Sequence, residues 1–175
     1  GNVSETADTI AVTIDKTAPN WSTPPYITTN ADSNSVGISA AVNEDSTIYY
    51  KVVSDGAAAP GAAEIKSANN SVNINVGEEK EITVTDLEQD TAYDVYFAVE
   101  DYAGNLQTDS EVKKVDVKTT LPDIMGSGTS DDPYIIYTFE GLEQVADKGL
   151  NAYYELGANI DASPTQNDTY NNGKG

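Results

Sequence analysis

The chain has 175 residues and a formal net charge of −20, from 9 basic and 29 acidic side chains. It contains no cysteine and no histidine. This composition excludes disulfides, thiol catalysis, Cys/His zinc sites and the usual serine triad. The shortage of basic residues weighs against nucleic-acid partners and membrane association. The sequence contains no apolar run of about 18 residues, so we predict no membrane insertion.

The two ends of the central region carry similar sequences. Residues 1–19 align without a gap with residues 104–122, so that Gly1 matches Gly104 and Pro19 matches Pro122. We interpret each segment as the last hairpin and exit linker of a sandwich repeat. The chain starts at Gly1 in the middle of this pattern, so we expect a fragment of a longer protein. Chance similarity between two Thr/Asp-rich strands is the alternative.

Between these segments, β-branched and aromatic residues alternate with polar ones. Such alternation predicts strands with one buried face, and Gly, Asn and Asp turns separate them. The predicted strands cover residues 36–42, 48–52, 72–76, 82–84, 93–99 and 115–117. About seven short strands in roughly 100 residues is typical of an antiparallel β-sandwich, an all-β fold.

Two helices are predicted outside the strands. The alanine-rich segment 55–70 predicts a short helix near residues 62–66, with Pro60 and Gly61 at its start. A second helix is predicted at about 138–149, capped by Thr138 and ended by Gly149.

After Pro122, the region 122–175 differs in character from the strands before it. It contains a Gly/Ser/Asp turn at 126–134, an apolar run at 134–137, and predicted strands at 153–156 and around Ile160. We expect this small strand-helix-strand appendage to lack a core of its own.

Carboxylate pairs are the only groups available for acid–base catalysis. Neighbouring pairs occur at Glu78-Glu79, Glu100-Asp101 and Asp131-Asp132. Glycoside hydrolysis requires two carboxylates facing each other across a cleft. We interpret these pairs as solvated turns, and predict no catalytic residues and no enzyme activity.

Calcium is the metal that oxygen-rich turns would favour. The candidate ligands are Asp101, Asn105, Asp131, Asp132 and Asp161. None has the spacing of a calcium loop, and Asp or Asn in a turn more often bonds its own backbone. We therefore predict no metal site and no cofactor, and leave calcium binding open.

Aromatic side chains offer a possible carbohydrate platform. The candidates are Trp21, Tyr49, Tyr96 and Tyr102. Outward-facing tyrosines are also common as cross-strand packing pairs, and we favour that interpretation.

One segment carries a family resemblance. LEQDTAYDVYFAV, residues 87–99, resembles the fibronectin type III signature, with Leu87, Thr91 and Tyr93 in the characteristic places. The resemblance implies a tyrosine corner, in which the Tyr93 hydroxyl bonds to upstream backbone. The sequence departs from the family at Gln89-Asp90, where Pro-Gly is usual, and at Ala40 or Ala41, where a core tryptophan is usual.

Two wider resemblances extend this interpretation. Residues 21–122 look like fibronectin type III or immunoglobulin-like modules of Gram-positive extracellular proteins, such as S-layer-associated proteins, adhesins and secreted glycan-active enzymes. Residues 126–162 are similar to the segment that opens parallel β-helix regions in bacterial surface proteins. The matching positions there are Gly128, Thr129, Pro133, Tyr134, Leu142, Tyr154, Leu156, Ile160 and Asp161.

These resemblances imply three parts. Residues 1–19 end a preceding immunoglobulin-like repeat, 20–121 form a fibronectin type III-like sandwich, and 122–175 are the truncated start of a β-helix domain. We expect a non-catalytic spacer or adhesion module of a multidomain bacterial protein, secreted or associated with the cell wall. The expected partners are neighbouring domains of the same chain, and a cell-wall or extracellular polysaccharide or a host surface protein. A carbohydrate-binding accessory module of a glycan-active enzyme is the alternative.

Overall fold

The computed structural model describes residues 14–163, which form ten strands and three short helices. The strands are β1 (Trp21–Thr29), β2 (Val36–Val42), β3 (Ser46–Ser54), β4 (Asn70–Ile74), β5 (Glu79–Val84), β6 (Ala92–Asp101), β7 (Lys113–Lys118), β8 (Ile124–Met125), β9 (Tyr134–Ile136) and β10 (Tyr154–Leu156). The helices are α1 (Ala62–Ser67), α2 (Phe139–Glu143) and α3 (Val145–Lys148). The strand predicted before residue 14 lies outside the described residues.

The strands form three sheets. Their orders are β1-β2-β5, β4-β3-β6-β7 and β10-β9-β8. In the four-stranded sheet, β3 and β4 are antiparallel and in register from Ser46 opposite Ile74 to Tyr50 opposite Asn70. In the smallest sheet, β9 is antiparallel to β8 and parallel to β10. The chain is therefore mostly β, as predicted, and all six predicted central strands are present.

The strand β1 is absent from the prediction. Its sequence, WSTPPYITT, contains two adjacent prolines, which weaken a strand pattern because proline donates no backbone hydrogen bond. The structure resolves this by placing β1 at the edge of its sheet, where proline is tolerated. The Tyr26 hydroxyl on this strand donates to the Glu79 carboxylate at 2.6 Å.

The described chain divides into two compact units, each made of separate segments. The first comprises residues 14–26, 39–82 and 94–115, and the second comprises 27–38, 83–93 and 116–163. The strands β1, β2, β5, β6 and β7 contribute residues to both units. The domain boundaries predicted at residues 19 and 121 stay predictions.

Within the first unit, the predicted helix α1 covers one face of β6. Its buried residues Ala62 and Ile65 pack in one cluster with Tyr96 and Ala98. The Asp109 carboxylate accepts the Ala62 N–H at 2.7 Å and so caps the first turn of the helix. The prediction of a single buried face on β6 is therefore wrong, because α1 buries the second face as well.

Within the second unit, the helix predicted at 138–149 is present but broken. α2 and α3 are separate short helices on either side of Gln144. The Thr138 hydroxyl accepts the Gly141 N–H at 3.1 Å, and Gly149 ends α3 with a φ of 92°. Both predicted helix ends are thus confirmed.

The strand predicted around Ile160 is wrong. Ile160 lies outside every strand of the described residues. The neighbouring Asp161 carboxylate instead accepts the Ser163 N–H at 2.9 Å and bonds the Ser163 hydroxyl. Such local bonds between a side chain and the backbone compete with strand formation.

Candidate functional site

The loop before β6 is tied to that strand by Tyr93. The Tyr93 hydroxyl accepts the backbone N–H of Glu88, five residues upstream, at 2.8 Å. Beside it, the buried Thr119 hydroxyl accepts the Thr91 N–H at 2.9 Å and lies 2.6 Å from the Glu88 carbonyl oxygen. The hydroxyl-to-backbone bond predicted for Tyr93 is confirmed.

A polar cluster borders the buried contact between α1 and the sheet. The Glu100 carboxylate accepts the Tyr49 hydroxyl at 3.0 Å and also binds the Lys66 ammonium. The Lys66 nitrogen lies 5.8 Å from the centre of the Tyr49 ring. Burial and the bond to Glu100 raise the pKa of Tyr49, and the bond to Glu100 raises the pKa of Lys66. These groups link α1 to the strands β3 and β6.

The four candidate platform aromatics differ in exposure. Tyr96 is only 7% exposed, and half-buried Tyr49 is bonded to Glu100. Trp21 is half-buried, and its indole N–H lies 3.3 Å from the Glu111 carbonyl oxygen to which it donates. Only Tyr102, of these four, is largely exposed, at 67%. The packing interpretation is therefore confirmed for Tyr96.

The turn after β6 is organised by Asp101. Its carboxylate accepts the Asn105 backbone N–H at 2.8 Å and the Asn105 side-chain amide at 2.7 Å. Burial raises the pKa of Asp101, but the bonds from Asn105 and from the N–H groups of Ala103 and Gly104 outweigh it and leave the pKa lowered. The prediction that these turn residues bond their own backbone is confirmed here.

Three carboxylates converge at this turn. Oxygens of Asp15, Glu44 and Asp101 all lie within 4.8 Å of one another. Burial, followed by repulsion from Asp15 and Asp101, raises the pKa of Glu44. Sequence reasoning singled out Asp101 but missed its two neighbours, which lie far away in the chain. The sequence offered one signal for this cluster. Asp15 lies in the predicted linker, and Glu44 and Asp101 lie in turns that follow predicted strands.

This group, the Asp15–Glu44–Asp101 cluster, has the oxygen chemistry that Ca²⁺ prefers. Three of its six carboxylate oxygens already accept local bonds, however. Asp15 accepts the Thr17 N–H at 2.9 Å, and both Asp101 oxygens accept bonds from Asn105. In this cluster the charged form of Glu44 is disfavoured by burial and by its two charged neighbours.

The other carboxylate pairs also serve local structure. Glu78 accepts the Asn75 N–H at 3.3 Å and pairs with Lys80 at 3.2 Å, and these bonds lower its pKa. Glu79 accepts the Tyr26 hydroxyl.

The pair Asp131-Asp132 is exposed, in a turn where the Asp132 carbonyl accepts the N–H groups of residues 127–129. The calcium candidate Asp161 forms the local turn with Ser163 that lowers its pKa.

Comparison with known proteins gives no family assignment. No protein-family model matches the chain, and no curated protein matches it. Among the helices of residues 14–163, none has the length and apolar character needed to cross a membrane.

Proposed function

We propose that residues 20–121 are a fibronectin type III-like module that acts as a non-catalytic spacer in a secreted or cell-surface protein. The observation that carries this proposal is the bond between the Tyr93 hydroxyl and the Glu88 N–H, at the position where the resemblance implies it. Sandwich modules of this kind serve many roles, so the spacer role needs support of its own.

That support comes from how the reactive side chains are used. Glu100, Asp101 and Glu79 each accept hydrogen bonds from neighbouring parts of the fold. Lys51 pairs with Glu64 of α1, and Lys66 pairs with Glu100. These five side chains therefore join neighbouring segments of the fold, as expected for a module whose task is mechanical.

Force spectroscopy on the full chain, held by handles at its two ends, tests the spacer role. We expect one cooperative rupture that lengthens the chain by roughly 30 nm, the extended length of about 100 residues less their folded span. Gradual extension without a rupture would contradict a mechanically stable module. Tyr93→Phe should lower the rupture force, whereas Tyr102→Phe, which changes an exposed tyrosine, should leave it unchanged.

Carbohydrate binding is the second candidate because Trp21 lines a shallow groove of about 250 Å³ together with polar side chains. Affinity electrophoresis in gels containing cell-wall polysaccharides separates the two functions. We expect no retardation of the parent chain. Retardation by one polysaccharide that is lost in Trp21→Ala and kept in Tyr102→Ala would establish binding instead.

We propose further that residues 122–175 open a parallel β-helix region. The parallel pairing of β9 and β10 supports this, since it stacks Tyr154 on Tyr134 in register with ring centres 5.4 Å apart. Parallel strands joined by a crossover are the unit from which such coils are built.

A further inference from the structure

The segment that links β7 to β8 is held from both sides within the second unit. On its upstream side, the Thr120 N–H donates to the Asp32 carbonyl at 3.0 Å, and the Thr120 carbonyl accepts the Asp90 N–H at 3.2 Å. Lys118 pairs with the Asp90 carboxylate at 2.7 Å. The linker therefore starts from a point fixed to the loops that contain Asp32 and Asp90.

On its downstream side, Asp123 makes three bonds. Its carbonyl accepts the Tyr137 N–H at 3.0 Å. Its carboxylate accepts the Thr138 hydroxyl at 2.8 Å and the Gln144 side-chain amide at 3.3 Å. Thr138 is itself the residue that caps α2, so one aspartate joins the linker to both ends of the α2 turn.

The absence of a side chain at Gly141 allows α2 to lie close to Asp123. A Cβ atom at position 141 would lie 2.0 Å from the Asp123 carbonyl oxygen, far inside any allowed contact. The backbone of α2 therefore approaches the linker as closely as it does only because residue 141 has no side chain.

Only Leu121 and Pro122 lie between these two anchored points. The ring of Pro122 fixes its own φ, and a residue before proline is restricted to extended conformations. Two residues constrained in this way, with bonds on each side, leave little freedom for a hinge.

We propose that Thr120–Asp123 is a rigid coupling rather than a flexible linker, with Asp123 as its positioning residue and Gly141 as its steric requirement. This inference rests on the proposed spacer function, because a spacer that sets the geometry of the next region needs a fixed exit. The coupling holds the strands β8–β10 and α2 in one orientation with respect to the loops around Asp32 and Asp90.

Distance measurements between two spin labels test the coupling in the full chain, which has no native cysteine. Labels at Gln89→Cys and Leu150→Cys lie at exposed positions of the second unit. We expect a narrow distribution of label-to-label distances in the parent. In Asp123→Ala and Gly141→Ala the width of this distribution should increase roughly twofold, because the released segment Thr120–Asp123 behaves as a flexible chain. Asp131→Ala, an exposed carboxylate in the same region, should leave the width unchanged.

Asp123→Asn should restore most of the narrow distribution, because one amide oxygen can still accept the Thr138 hydroxyl. Circular dichroism of each variant identifies any loss of folding. A broad distribution in the parent, or an unchanged width in both folded Asp123→Ala and Gly141→Ala, would overturn the proposal. If the force experiment shows no cooperative rupture, the spacer role is contradicted, but the widths of these distance distributions do not change. The two experiments therefore test the two proposals separately.

Discussion

Tyr93 shows how a single side chain fixes a loop. Its hydroxyl accepts the Glu88 N–H, while Thr119, the residue after β7, bonds the same loop. These two side chains add to backbone bonds of the same loop, in which the Leu87 N–H donates to the Asn34 carbonyl and the Asp90 N–H donates to the Thr120 carbonyl. The loop conformation therefore depends on two hydroxyl groups as well as on backbone pairing.

Tyr93→Phe is expected to lower the free energy of unfolding by about 1 kcal/mol, because it deletes one hydrogen bond and keeps the ring. Urea unfolding followed by fluorescence measures the change. Tyr102→Phe, at a 67% exposed tyrosine, serves as the control and should have no effect. Equal effects of the two substitutions would show that the Tyr93 hydroxyl contributes nothing to the fold.

Glu44 is expected to be a destabilising charge at neutral pH. Burial and repulsion from Asp15 and Asp101 raise its pKa above the usual 4.5, so folding favours its protonated form. The stability that the protonated Glu44 carboxyl group contributes is complete at pH values below its usual pKa. That contribution is lost as the pH rises through the raised pKa of the folded protein. Glu44→Gln should therefore stabilise the protein at pH 7 by on the order of 0.5 kcal/mol and be neutral near pH 4.

Thermal unfolding at the two pH values measures this difference, with Glu155→Gln as an exposed control. A gain that persists at pH 4 would contradict an electrostatic origin. The same proteins test the expectation that calcium has no specific site. In EDTA-treated samples, added Ca²⁺ should change the Tm of parent and Glu44→Gln equally, and a rise confined to the parent would make the Asp15–Glu44–Asp101 cluster a cation site.

At the scale of secondary-structure elements, α1 covers part of the sheet surface. It has only six residues, too few to be stable alone, so its stability comes from packing. Ile65 is fully buried in the contact with β6. The helix thereby converts a sheet face that would display Tyr96 into a second buried layer.

Ile65→Ala is expected to cost about 2–5 kcal/mol of unfolding free energy, because it removes a fully buried side chain and leaves a cavity. The matched control is Ile27→Ala in β1, where the side chain is 38% exposed and the expected change is within about 1 kcal/mol. Chemical denaturation measures both variants. A loss at Ile65 as small as that at Ile27 would mean that α1 is only loosely held.

For the molecule as a whole, charge is the dominant property. Several of the nine lysines are already engaged with carboxylates, at Lys51, Lys66, Lys80, Lys114 and Lys118. The excess of 29 acidic over 9 basic side chains gives the chain its net charge of −20, which opposes compaction through self-repulsion.

Salt is therefore expected to raise the Tm. Between about 10 mM and 200 mM NaCl the Debye length falls from about 30 Å to below 10 Å, which screens repulsion between distant surface carboxylates. Scanning calorimetry at pH 7 should show a rise of a few degrees. At about pH 4, where carboxylates begin to protonate, the rise should shrink. A Tm that falls or stays constant with salt at pH 7 would show that local ion pairs outweigh net repulsion.

The sequence by itself determined the local structure of this protein. Strand alternation, the Thr138 cap and the Gly149 helix end are encoded by neighbouring residues, since they depend on periodicity and on side chains bonding nearby backbone. The Tyr93 bond was implied by the family resemblance of residues 87–99, and its partner lies only five residues away. The strand expected at Ile160 failed because the local turn of Asp161 competed with it.

Only the tertiary structure decided which distant residues meet. The cover of β6 by α1, the edge position of the proline-containing β1 and the Asp15–Glu44–Asp101 cluster all join segments far apart in the chain. The same is true of the bond between Asp123 and Gln144, 21 residues apart. Periodicity reports which face of a strand is apolar, but it carries no information about which element will cover that face, because packing is set by the arrangement of the whole chain.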